Sequence, residues 1–164
     1  MKLYLVRHAK AGERGAWPGD DRLRPLSRRG QLQSEGLIEV FDGRKIERLL
    51  SSSYVRCLET LVPLASVRNL AIEPADALSE GATLESALTL VRKHAHRNTI
   101  MCSHGDIIPM LLNHYAEQGL DLGDDPQCPK GCTWILDLNA TGDVKSGKYI
   151  APPTDFVPPS KPGK

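Results

Sequence analysis

The chain has 164 residues, 40% hydrophobic and 25% charged, with a formal net charge of +1 at pH 7; that length suits one domain with a single core, and the near-neutral balance gives no global basic field for nucleic acid. No apolar stretch approaches the roughly 20 residues that span a bilayer, and Arg7 and His8 interrupt the first apolar run before a signal-peptide core can form, so a cytoplasmic location without membrane partners is expected. Four cysteines are too sparse for a disulfide scaffold.

Residues 2–6 read as a buried strand, short, apolar and ending on a β-branched side chain. Residues 9–26 carry three glycines, two prolines and many charges. They form a long loop, and long loops in compact domains tend to be functional, which makes Trp17, Arg22 and Arg24 candidates for the rim of a site. Ser27 is placed to cap a helix through the N–H of Arg29 or Gly30, with Leu32, Leu37, Ile38 and Phe41 as its apolar stripe. Residues 46–50 read as a second strand. Ser51-Ser52-Ser53 reads as the cap of a helix over 54–66, followed by a short strand over 71–73. Residues 83–95 make a helix with Leu84, Ala87, Leu88 and Val91 on one face. Residues 99–102 make a central strand, and 106–118 a helix whose Pro109 falls in the first turn, where its missing N–H has no partner to lose. Strands over 133–138 and 144–150 close the domain. This alternation predicts a three-layer α/β/α sandwich on a mainly parallel sheet, with an antiparallel C-terminal edge. The domain covers residues 1–150, and five prolines in the last fourteen residues predict a surface-bound or disordered tail over 151–164.

Two histidines stand at strand ends, His8 after Arg7 and His104 between Ser103 and Gly105, where open α/β sheets place ligands. Arg56 follows the second strand by one helical turn, and Glu80 follows Ala77-Leu78-Ser79. If the four segments converge, the site holds two His, two Arg and one Glu, a phosphate pocket containing a nucleophile. Arginine's planar fork matches phosphoryl oxygens. A neutral imidazole held in one tautomer attacks phosphorus, and a protonated carboxyl group serves the departing oxygen. Arg and His supply the positive charge, so this chemistry calls for no metal or cofactor. Residues 1–30 hold eight Lys/Arg against three acids; read plainly this is a solvated basic face, read functionally it attracts an anionic substrate. Cys57 and Cys102 read as core thiols. Cys128 and Cys132 flank Pro129-Lys130-Gly131 as half a zinc site without its other pair, or as a short-range reversible disulfide.

Arg7-His8-Ala9 resembles an Arg-His-Gly signature, and the segment from Ser51 to Thr60 resembles Ser-Ser-Pro-x-x-Arg-Ala-x-Gln-Thr. Leu78-Ser79-Glu80 matches an acid-bearing segment, and Ser103-His104-Gly105 a second-histidine motif. On these motifs, over residues 2–150, the chain is identified as a member of the histidine phosphatase superfamily, whose fold is phosphoglycerate mutase-like. The resemblance implies that His8 becomes phosphorylated, that Arg7, Arg56 and His104 hold the phosphoryl group, and that Glu80 is the general acid and base. Against this stand plainer readings: Arg56 paired with Glu59 or Glu35, and Glu80 as a loop carboxylate. Lys10-Ala11-Gly12 replaces the mutases' substrate-contacting Thr and Asn, and the length leaves little room for their insertions, so mutase activity is the lesser reading. The size, the Arg-His-Ala-Lys start and Arg24-Pro25-Leu26-Ser27 resemble short bacterial members. These include protein phosphohistidine phosphatases and phosphatase domains joined to Nudix hydrolases, which act on nucleotide or dinucleotide polyphosphates. Gly15-Ala16-Trp17-Pro18-Gly19-Asp20-Asp21 and Glu80-Gly81-Ala82 lean towards the latter. The expectation is a metal-independent phosphatase acting on a phosphohistidine-bearing protein or a small phosphorylated metabolite or nucleotide, with Trp17 as a stacking surface in the nucleotide case. The alternative is a phosphate-dependent binding or scaffold module with little turnover.

Overall fold

The computed structural model describes residues 1–153. Its strands are β1 (Lys2–Arg7), β2 (Arg48–Ser51), β3 (Ile72–Pro74), β4 (Thr99–Ser103), β5 (Thr133–Leu138) and β6 (Val144–Ile150), and its helices are α1 (Arg28–Val40), α2 (Val55–Arg68), α3 (Leu84–His94) and α4 (Ile107–Glu117). The strands form one sheet in the order β3-β2-β4-β1-β5-β6. The first four pair in parallel, while β5 and β6 add an antiparallel edge.

Side chains alternate across the strands and so build two cores. Leu3, Leu5, Leu50, Met101, Trp134 and Leu136 pack with Leu88, Val91, Ile108 and Leu111 of α3 and α4. Tyr4, Val6, Leu49, Ile100, Cys102 and Ile135 pack on the opposite face with Leu37 and Phe41, in and just after α1, and with Leu61 and Leu64 of α2. Every residue of β4 is buried, as expected of a strand covered on both faces. The predicted layers and the mixed sheet are therefore those observed.

Local chemistry explains most boundaries. The Ser27 hydroxyl accepts the Gly30 N–H at 3.2 Å and starts α1; Thr83 accepts the Ser86 N–H at 3.1 Å and starts α3. The second strand begins at Arg48 rather than at residue 46, because the Glu47 and Arg48 N–H groups turn to the Asn98 carbonyl. The serine triplet does not cap α2: its N-cap position is Tyr54, with no side-chain cap. Ser51 belongs to the ladder opposite Cys102, and Ser52 is drawn to His104. The loop after β1 folds into short 3-10 turns at Arg14–Ala16 and Asp21–Leu23 and is cinched by a bridge between Ala11 and Leu26. No helix among the described residues is long and apolar enough to cross a membrane. Residues 154–164 of the expected proline-rich tail lie outside the described residues.

Candidate active site

Strand register decides which side chains meet. Arg7 is level with Ser103 and Ser51 with Cys102, and the ladder runs one residue further, His8 N–H to the Ser103 carbonyl and Ser52 N–H to the Cys102 carbonyl, both at 3.0 Å. His8, Ser52 and His104 thus leave the carboxyl ends of β1, β2 and β4 side by side, with the two imidazole centroids 5.5 Å apart. The first turn of α2 adds Arg56, and the Asp76–Leu78 turn after β3 delivers Glu80. Arg7, His8, Arg56, Glu80 and His104 line one cavity of about 500 Å³, together with Lys10, Arg14, Arg24, Asp106 and Lys130.

The His8 ring is held in one tautomer. Its Nδ1 lies 2.8 Å from the Ala9 carbonyl; a carbonyl only accepts, so Nδ1 carries the proton and Nε2 keeps a free electron pair. Burial pushes the His8 pKa down to about 3, against the Ala9 bond, and the charges of His104, Arg56 and Arg7 push the same way. The imidazole is neutral at physiological pH, as a nucleophile requires.

Arg56 is 1% exposed. It donates to the Asp21 carbonyl at 2.9 Å and to the Asp21 carboxylate at 3.1 Å, with Glu80 at 3.4 Å. Arg7 donates to the Cys128 carbonyl at 2.7 Å, and Gly105 leaves it room: a Cβ there would fall 2.6 Å from the guanidinium. His104 Nε2 shares a hydrogen bond with the Ser52 hydroxyl at 2.8 Å. Arg7 Nε, Arg56 Nε and His104 Nδ1 are buried with no partner among the described residues. Unmatched buried polar nitrogens are costly, and an anion rich in acceptor oxygens would satisfy them.

The other sequence candidates divide. Arg24 lines the cavity, bound to the Gly12 carbonyl and, at 2.9 Å, to Asp21. Trp17 lies in a neighbouring groove of about 150 Å³ that shares Gly12, Glu13 and Arg24, its indole N–H tied to the Asp20 carbonyl. Arg22 is outside both, exposed and paired with Asp20 at 2.7 Å. The partners of Arg56 are Asp21 and Glu80 rather than Glu59 or Glu35; Glu59 instead accepts the Leu26 N–H. Sequence reasoning missed Lys10, Arg14, Asp21, Ser52, Asp106 and Lys130. Cys128 and Cys132 are free thiols, Sγ to Sγ 3.8 Å, and no group of three or more His, Cys, Asp or Glu side chains clusters as metal ligands among the described residues.

Comparison with known proteins gives the family and the fold. Residues 3–86 match the sequence model of the histidine phosphatase superfamily, branch 1. The 8-oxo-(d)GTP phosphatase of Mycolicibacterium smegmatis is 32% identical over 158 residues, which is 93% of this chain and 49% of the relative. The chain thus spans about half the length of that protein. Among solved structures, the protein histidine phosphatase SixA complexed with tungstate superposes with a TM-score of 0.75 at 19% identity, over 93% of this chain and 96% of that one. A putative phosphohistidine phosphatase SixA from Agrobacterium tumefaciens gives a TM-score of 0.72 at 23% identity, over 92% and 96%. Both share the fold, and the matched family model carries the assignment: this chain belongs to the histidine phosphatase superfamily.

Proposed function

We propose that the protein is a phosphatase that works through a covalent phosphohistidine on His8, with a small phosphorylated metabolite of the nucleotide kind as substrate. The observation that carries this reading is the His8 tautomer. A buried imidazole whose Nδ1 proton is committed to the Ala9 carbonyl presents Nε2 within a cavity walled by Arg7 and Arg56. Nε2 forms a bond to phosphorus as the ester P–O bond breaks, and the two guanidinium groups and His104 take up the charge on the equatorial oxygens. Glu80, whose carboxylate pairs with Arg14 and Arg56, passes the proton of the monoanionic ester to the departing oxygen, then takes one from the water that cleaves phospho-His8, releasing orthophosphate. The reaction draws its positive charge from these side chains, which supports metal independence. The nucleotide class is supported by the similarity to an 8-oxo-(d)GTP phosphatase. A cavity walled by inward-facing cations also suits a small polyanion better than an extended protein surface.

The test is trapping. Brief incubation with a radiolabelled phosphomonoester followed by denaturation should leave acid-labile, alkali-stable phosphate on the wild-type chain and none on His8→Ala. A His8→Ala protein that labels and turns over equally would overturn the mechanism. A panel of nucleotides, sugar phosphates and a phosphohistidine protein then ranks the substrates, and preference for the protein would overturn the nucleotide assignment.

A further inference from the structure

The cavity's charges are unevenly neutralised. Arg14, Arg24 and Arg56 are paired with Asp21 or Glu80. Arg7, Lys10 and Lys130 line the same cavity but form no ion pair with a carboxylate among the described residues, and neither do Glu13 and Asp106 with a cation, so that six cations face three lining carboxylates, Glu13, Glu80 and Asp106. Burial, with the charges of Arg7, Arg24, Lys10 and Arg56, lowers the Lys130 pKa below the usual lysine value. Crowded like charges relax when a multiply charged anion joins them.

Both lysines are fixed at the backbone. The Gly131 N–H donates to the Arg7 and His8 carbonyls at 3.1 and 3.0 Å, which anchors Lys130 to the strand end that bears the nucleophile. The Lys10 N–H donates to Gln33 Oε1 at 2.9 Å, and the Lys10 carbonyl accepts the Ser27 N–H and hydroxyl. Gly30 of α1 packs so tightly on that carbonyl that it has no room for a Cβ. Gln33 is itself buried and packs against Gly131, whose φ is +85°. One buried glutamine thereby hydrogen-bonds the Lys10 backbone and packs beside Gly131, holding both backbone segments while the two lysines themselves are exposed.

We propose that Lys10 and Lys130 form a second anion subsite, for the penultimate phosphate of a diphosphate or longer chain, so that the preferred substrate is a phosphoanhydride; this rests on phosphoryl transfer to His8. The terminal phosphoryl group sits against His8, Arg7 and Arg56. The Nε2–P bond forms as the bridging P–O bond breaks, and its electron pair leaves on the bridging oxygen of the departing phosphate. The two ammonium groups offset that charge, so departure needs no proton. Water then hydrolyses phospho-His8 to orthophosphate.

Turnover of ADP, AMP and p-nitrophenyl phosphate by wild type, Lys10→Gln, Lys130→Gln and Lys130→Arg tests this. Wild type should favour ADP over AMP in kcat/KM, each Gln variant should cut that ratio by about tenfold, the scale of one charged hydrogen bond, and Lys130→Arg should retain most of it. Independently, calorimetric titration of His8→Asn should show pyrophosphate binding more tightly than orthophosphate, with the preference lost on adding Lys130→Gln. An ADP/AMP ratio near one in wild type, or a ratio untouched by the Gln variants, overturns the subsite while His8-dependent turnover of p-nitrophenyl phosphate leaves the phosphatase reading standing. If no ester is turned over through His8, that reading falls, and the pyrophosphate titration still decides the subsite.

Discussion

Acid should destabilise this fold through His8, by an amount that the site's geometry sets. In the folded chain His8 stays neutral down to a pKa of about 3, mainly because it is buried, whereas its ordinary value is 6.5. The unfolded chain therefore binds a proton that the folded chain refuses, and acidification favours unfolding. Stability is whole above pH 6.5, declines as pH falls, and levels off near the folded pKa of about 3. Linkage puts the loss between pH 7 and pH 5 at about 2 kcal/mol, and the full loss at about 5 kcal/mol. Carboxylates titrate in the same range, so the measurement is a difference. Urea unfolding of wild type and His8→Asn at pH 7 and pH 5 removes everything the two proteins share. Wild type should lose about 2 kcal/mol more than His8→Asn on acidification, with unchanged m-values. Parallel losses in the two proteins would mean that His8 takes up its proton as easily folded as unfolded, and would refute the argument that burial keeps it neutral.

Three further outcomes follow from the same site. Gly105→Ala sets a Cβ 2.6 Å from the Arg7 guanidinium; swinging Arg7 away should lower kcat/KM by about 10- to 100-fold, the worth of a charged hydrogen bond, and wild-type kinetics would show that Arg7 is free to move. Glu80→Gln should slow alkyl phosphates on the order of 100-fold or more but p-nitrophenyl phosphate far less, because only the poor leaving group needs the proton; equal slowing would remove Glu80 from that role. Dialysis against a strong chelator should leave the rate on p-nitrophenyl phosphate unchanged, and a restored requirement for a divalent ion would contradict the metal-free mechanism.

The layers of the fold were legible because they follow short-range rules. The short continuous apolar runs of β1 and β4, the Ser27 cap and the stripe on α3 each state their environment within a few residues. The two histidines were legible for the same reason: His8 and His104 each stand directly after a strand, next to Arg7 and between Ser103 and Gly105. The groups that neutralise or position them were not. Asp21 meets Arg56 across 35 positions of sequence, at 3.1 Å, and Lys130 reaches the cavity only because Gly131 hydrogen-bonds the backbone of β1 and His8. Such pairings depend on loop closure, to which local pattern is blind. The serine triplet failed differently. Its composition fits an N-cap, yet the buried His104 ring claims the Ser52 hydroxyl at 2.8 Å, a partner that only the sheet register supplies.

The missed residues also change how the pocket handles an anion. Arg56 is almost wholly buried and already holds the Asp21 carboxylate, so a phosphate that binds it exchanges one anion for another instead of neutralising a bare charge. Asp21 is tied as well to Arg24 at 2.9 Å and faces Arg14 at 3.6 Å, so it has other cations to turn to when displaced. That exchange costs far less than uncovering a buried guanidinium with nothing to replace its partner. Among the described residues Arg7 holds the Cys128 carbonyl, a neutral acceptor, and no carboxylate. On the proposed function, an incoming dianion would meet Arg7 and the unpartnered Arg56 Nε, and the Arg56 donors held by Asp21 would come free as that carboxylate gives way.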